Sequence, residues 1–194
     1  RALSGQSKAT MTTRWGPQLK NAVKALESNR ELAETRRRAE ENVRGGLACR
    51  PGSLRVLFIL NPIRRAPSPP AMHGGWISIV NQAIGLGKRG VCARVAISAW
   101  TLETFQENFP GSPDVFLAYK DTVRTPQDLA AALYDRAAAF DFLVATLFTT
   151  VEAVDLITAC HPNVQSGYFI QDYEPNFDNL SDVLRDKALV SYTR

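Results

Sequence analysis

The spacing of apolar positions changes near residue 54. Before it, Leu19, Val23 and Leu26 form one short stripe at helical spacing, within a stretch from Pro17 to about Arg44. That stretch is dominated by Ala, Leu, Glu, Lys and Arg, which favour helix. Charge then takes over, with Arg36, Arg37 and Arg38 in a row, and the stripe is short for a helix lying on a membrane. Gly45-Gly46 stops the helix and Pro51-Gly52 marks a linker. Residues 1–53 are therefore read as a largely helical leader, and residues 54–194 as one domain.

The body opens with Val56-Leu57-Phe58-Ile59-Leu60, an apolar run of the kind that forms a central parallel strand buried on both faces. A Pro-rich loop and His73-Gly74-Gly75 follow, then a helical pattern from Trp76 to about Leu86, with Ile77, Val80 and Ile84 on one face. Further strands are expected at Val91–Ile97, Val115–Tyr119, Phe142–Phe148 and Ser166–Gln171. Helices are expected from Thr101 to Phe109 with a capping-type start, over Pro126–Phe140, and over Thr150–Cys160. A closing helix and strand are expected within Ser181–Tyr192. Alternating strands and helices over such a length predict an α/β doubly wound parallel sheet. Ligand sites in such sheets lie beyond the carboxyl ends of the strands. That points to Asn61–Gly75, Thr149-Thr150 and Gln171–Phe177.

The net charge of +4 is unevenly spread. Arg1–Arg55 holds 12 Lys and Arg against 5 Asp and Glu, a balance of +7, and the remainder holds 11 against 14, a balance of −3. The basic character belongs to the leader, which is suited to a solvated face, to acidic lipid headgroups or to nucleic acid. The three cysteines, Cys49, Cys92 and Cys160, are widely spaced and form no CxxC. They read as small hydrophobes in a reducing compartment. No apolar run approaches the ~18 residues of a membrane span. The chain begins at Arg1 rather than Met and is read as a piece of a longer protein.

Gly85-Leu86-Gly87-Lys88-Arg89-Gly90 matches GxGxxG literally, yet it closes a helix and leads into a strand. A dinucleotide fingerprint needs the reverse context, so these glycines read as helix termination. Gly74 and Gly75 do lie between a strand and a helix. There a bare backbone and a helix N-terminus suit a phosphate or a sugar hydroxyl. His73 adjoins them, and Arg64 and Arg65 lie in the preceding loop as candidates for an anionic group. The densest constellation is Tyr168-Phe169-Ile170-Gln171-Asp172-Tyr173-Glu174-Pro175-Asn176-Phe177. Aromatic faces stack on sugar rings, and carboxylates and amides bind hydroxyls. Asp172 and Glu174 are two apart and share a face in extended backbone. No third ligand of suitable type stands nearby for a metal. There is no GxSxG for a serine hydrolase, and no nucleic-acid module interleaves basic and aromatic residues.

The order of apolar strand, loop, Gly-Gly helix start and a later strand ending in Tyr-Phe-Ile-Gln-Asp-Tyr-Glu-Pro resembles the N-terminal domain of GT-B glycosyltransferases. The likeness is to family 4, and within it to rhamnosyltransferase-like members that build cell-surface polysaccharides. It covers about Leu54 to Arg194. The resemblance implies a Rossmann-like half of a two-domain enzyme, in which this half holds a glycan or glycolipid acceptor. A second domain would hold a nucleotide diphosphate sugar, with dTDP-rhamnose the donor the likeness suggests, and no metal or other cofactor would be needed. It implies that Gly74 and Gly75 approach the donor phosphates. Gln171, Tyr173, Glu174 and His73 would line the acceptor cleft, and Asp172 would be the catalytic position that binds an acceptor hydroxyl. Many relatives place His where Gln171 stands, so an imidazole is missing at that point. The expected location is cytoplasmic, at the inner face of the membrane if the basic leader touches lipid. The alternatives are a nucleotide-dependent oxidoreductase or epimerase, or a non-catalytic module that binds nucleotide or glycan.

Overall fold

The computed structural model describes residues 49–50, 52–63, 66, 70–178 and 180–193. The predicted leader helix from Pro17 to Arg44, the Gly45-Gly46 stop, and Arg64 and Arg65 lie outside the described residues.

Five strands form one all-parallel sheet in the order β3-β2-β1-β4-β5. They are β1 (Arg55–Ile59), β2 (Cys92–Ser98), β3 (Phe116–Tyr119), β4 (Phe142–Ala145) and β5 (Gln165–Tyr168). Helices α1 (Gly74–Lys88), α2 (Leu102–Asn108), α3 (Pro126–Ala137), α4 (Phe148–Cys160) and α5 (Asp182–Ser191) follow the strands in turn. β1 is central, with Phe58 in register with Val95 on one side and Val144 on the other.

The apolar run at β1 serves two cores because alternate side chains leave opposite faces of a strand. Val56, Phe58 and Leu60 pack with Val95 and Ile97 against Trp76, Ile79, Val80 and Ala83 of α1 and Phe105 of α2. Leu57 and Ile59 pack with Leu143 and Ala145 against Leu129 and Leu133 of α3 and Val151, Val154 and Ile157 of α4. A chain that covers both faces in this way is doubly wound, as the alternation predicts.

Several boundaries differ from expectation, each for a local reason. α1 begins at Gly74, because His73 is extended and its carbonyl accepts the first helical bond from Ile77 N–H. Gly74 and Gly75 therefore lie inside the first turn. Gly90, with φ +87°, ends the segment in the left-handed region that glycine tolerates, while Gly85 and Gly87 lie within the last turns of α1, so of the GxGxxG match only Gly90 is the stop. Thr101 stands at the N-cap of α2 as expected, but its side chain caps nothing: its hydroxyl donates to Ser98 O within a 3-10 turn over Ala99–Thr101. A full capping box stands instead at α3, where Thr125 Oγ1 accepts from Asp128 N–H and Asp128 Oδ2 accepts from Thr125 N–H. β4 ends at Ala145 and α4 starts at Phe148, so the apolar Leu147-Phe148 pair leads into a helix. No strand follows α5 among the described residues.

The cysteine expectation is also corrected. Cys49 and Cys92 form a disulfide, with Cα atoms 5.5 Å apart, while Cys160 is not part of one. Their 43-residue separation hides the pairing in the sequence, because only the return of the chain through α1 to β2 brings them together. Among the described residues, no helix is long and apolar enough to cross a membrane.

Candidate functional site

The chain runs β1, β2, β3 to one edge of the sheet and then returns to lay β4 on the other side of β1. The connections after β1 and β4 leave toward opposite edges, which makes the carboxyl ends of these two strands the switch point where folds of this kind form their ligand crevice.

The β1 side of the crevice is pinned from beneath. Ile63 N–H donates to Ser98 Oγ at 3.3 Å, and Trp100 Nε1–H donates to Ile63 O at 2.9 Å. Ser98 Oγ–H donates to Tyr119 Oη, which donates to Leu60 O, each at 3.4 Å. Burial pushes the Tyr119 phenol up to about 12, so it remains a neutral donor. The β4 side is tied to the same strand end, for Thr146 Oγ1–H donates to Ile59 O at 2.8 Å. Thr150 Oγ1 accepts from Thr146 N–H and Leu147 N–H at 3.0 and 3.2 Å, shaping the entry to α4. Thr149 Oγ1 beside it is buried and has no hydrogen-bond partner among the described residues.

The first turn of α1 carries no acidic residue and no side-chain cap. Its leading amides have no helical acceptor, and the helix dipole adds partial positive charge. The His73 ring lies against Trp76, with centroids 4.0 Å apart. Desolvation holds its imidazole below the usual range, which favours the neutral ring.

β5 delivers the third wall. Phe169 N–H still pairs with Ala145 O, and Phe169 packs edge-on against Phe58. Beyond it Ile170, Gln171, Asp172 and Tyr173 are exposed. Gln171 reaches across the crevice: an ideal Cβ on Gly75 would lie 3.3 Å from Gln171 Oε1 and 3.3 Å from the His73 ring. Gln171 Nε2 also approaches Thr146 O at 3.5 Å. Asp172 is exposed, and its Oδ1 accepts from Tyr173 N–H at 2.8 Å.

His73, Gly75 and Gln171 are thus brought together, Gly74 lies beside them in the same turn, and Asp172 and Tyr173 follow on the exposed rim. Glu174 departs from expectation. It does not share a face with Asp172, because a 3-10 turn over Glu174–Asn176 replaces extended backbone and directs its side chain inward. It is 1% exposed. Its Oε2 accepts from Phe148 N–H at 2.9 Å and from Tyr168 Oη–H at 2.5 Å. Burial pushes its carboxyl up, although both donors pull it down. Tyr192 joins this surface unsignalled: its hydroxyl accepts from Glu174 N–H at 2.9 Å and donates to Asp172 O at 3.2 Å. Nothing in its local sequence signals the role, since the partners lie 18 and 20 positions away.

Among the described residues, no group of three or more His, Cys, Asp or Glu side chains is arranged to hold a metal ion. In comparisons with protein-family models, with curated proteins and with solved structures, nothing matches this chain.

Proposed function

We propose that this chain is the acceptor-side half of a GT-B glycosyltransferase, transferring a sugar from a nucleotide diphosphate donor to a glycan or glycolipid. One observation carries the reading. A glycine-opened helix N-terminus and the polar end of β5 meet across the crevice at the switch point, through Gly75, His73 and Gln171. The first-turn amides of α1, which have no acceptor within the helix, suit the charge of a diphosphate leaving group. Asp172 and Tyr173 stand on the adjoining rim, where a carboxylate binds an acceptor hydroxyl and an aromatic face receives a sugar ring. Glu174 lies behind this surface and supports it, and is withdrawn from the acceptor contacts. In this mechanism the protein positions two substrates and stabilises the departing diphosphate. A second domain facing the crevice supplies the remaining donor contacts, and dTDP-rhamnose is the first donor to try.

The test is transfer from a panel of labelled nucleotide sugars, without added metal, to lipid-linked and free glycan acceptors. The 194-residue chain is assayed alone and joined to the sequence encoded after it. Transfer by the joined protein is expected, and Asp172→Asn is expected to lower turnover about 10- to 100-fold, the value of a lost hydrogen bond to a charged group. Undiminished turnover in that variant removes Asp172 from the reaction. Absence of both transfer and donor hydrolysis by the joined protein moves the reading to a non-catalytic glycan-binding module.

A further inference from the structure

Among the described residues, Glu174 is the one carboxylate in the core. Burying such a group is costly unless donors satisfy it. Here the donors come from two different elements. Phe148 N–H belongs to the first turn of α4, where the helix dipole favours an anion, and Tyr168 Oη–H belongs to the end of β5. The peptide of the same residue is held from a third element. Its N–H donates to the hydroxyl of Tyr192, which follows α5, and that hydroxyl donates onward to Asp172 O. The Tyr192 ring stacks near-parallel with Tyr168 and with Tyr173, with centroids 5.7 and 5.8 Å away. From within α5, Arg185 donates to Pro175 O at 2.7 Å. The backbone of residues 172–175 is therefore fastened at successive points, while the side chains of Gln171, Asp172 and Tyr173 stay exposed.

We propose that Glu174 and Tyr192 are positioning residues: they hold the turn that presents Gln171 and Asp172 to the crevice, and so set the geometry of acceptor binding without touching the acceptor. The proposal rests on the reading of Asp172 as the acceptor contact. Tyr192→Phe is the discriminating variant, because it removes one hydroxyl and keeps the stacked ring.

Two measurements on the same protein decide it. Hydrogen exchange is followed at the amides of residues 171–173, leaving aside residue 174, whose own acceptor is deleted. A local increase of at least about fivefold is expected, the equivalent of one of the two hydrogen bonds lost, with exchange in β1 and β4 unchanged. In the transfer assay, the acceptor KM is expected to rise by a similar factor while the donor KM holds. The double variant Asp172→Asn/Tyr192→Phe is expected to be no worse than Asp172→Asn alone. Unchanged exchange at 171–173, or an increase spread over the whole sheet, overturns the proposal. So does an acceptor KM that does not move in a protein that transfers sugar. Should the wild type transfer nothing, the functional reading fails, and the exchange data alone then uphold or overturn the positioning role.

Discussion

Gln171 Oε1 stands 3.3 Å from the point where a Cβ on Gly75 would sit, so these two residues, 96 positions apart, share one small space. The neighbouring Gly74 has nothing within 4 Å of its own virtual Cβ. The two glycines therefore do different work. One allows a close approach across the crevice, and the other opens a helix that any small residue could open.

Alanine at each position separates these roles. Gly74→Ala is expected to leave stability unchanged or raise it by about 0.5 kcal/mol, through loss of unfolded-chain entropy. It should leave nucleotide affinity intact. Gly75→Ala is expected to displace the flexible end of Gln171 with little change in stability and to weaken nucleotide binding severalfold. Urea unfolding and calorimetric titration of both variants provide the comparison, and equal affinity in the two would remove the special role of Gly75.

Glu174 makes the stability of the chain pH-dependent in a defined direction. Its folded carboxyl is held above the usual range, chiefly by burial, while a Glu in the unfolded chain titrates near 4.3. The folded state therefore binds the proton more tightly. The resulting stability is full below the unfolded pKa and is lost as pH rises through the folded one. Glu174→Gln keeps an oxygen for Phe148 and Tyr168 without ionising. The stability of the variant relative to the wild type should rise as pH climbs from the unfolded value through the raised folded one. Urea titrations at several pH values check this, and a gap that is flat with pH would sink it.

The His73 ring adjoins the α1 amides and is held below its usual pKa by desolvation. A bound diphosphate would favour the imidazolium, so binding should take up a proton. The NMR titration midpoint of His73 is expected below about 6.5 in the free protein and higher with saturating nucleotide diphosphate. A midpoint that ignores the nucleotide places the phosphates elsewhere.

Cys49 and Cys92 close a loop over β1 and α1. In the chain-entropy account, a loop of this length stabilises the fold by about 3–4 kcal/mol when oxidised. Peptide mapping without reductant should recover a Cys49–Cys92 linked peptide and Cys160 alkylated alone, and reductant should lower Tm. Alkylation of all three cysteines in the untreated native protein would contradict the pairing.

The sequence by itself determined the class of fold. Val56–Leu60 is apolar on both strand faces, the helical periods of α1 and α3 alternate with strands, and such a pattern has few packings other than a doubly wound sheet. It also pointed to the carboxyl ends of the strands, because strand ends in that architecture carry polar loops, and the structure brings His73, Gly75 and Gln171 close together there. Only the tertiary structure decided which way Glu174 turned. A charged residue beside a carboxylate reads as surface until Phe148 N–H and Tyr168 Oη, from separate elements, converge to satisfy it in the core. It likewise decided the edge strand. β5 is Gln165–Tyr168, exposed over Gln165–Gly167, ahead of the more apolar Phe169-Ile170, because pairing with β4 sets its register, and an edge strand needs a backbone partner more than an apolar face. The Cys49–Cys92 pair and the reach of Tyr192 to Asp172 have the same origin: contacts between distant residues follow from the path of the chain, which local pattern does not encode.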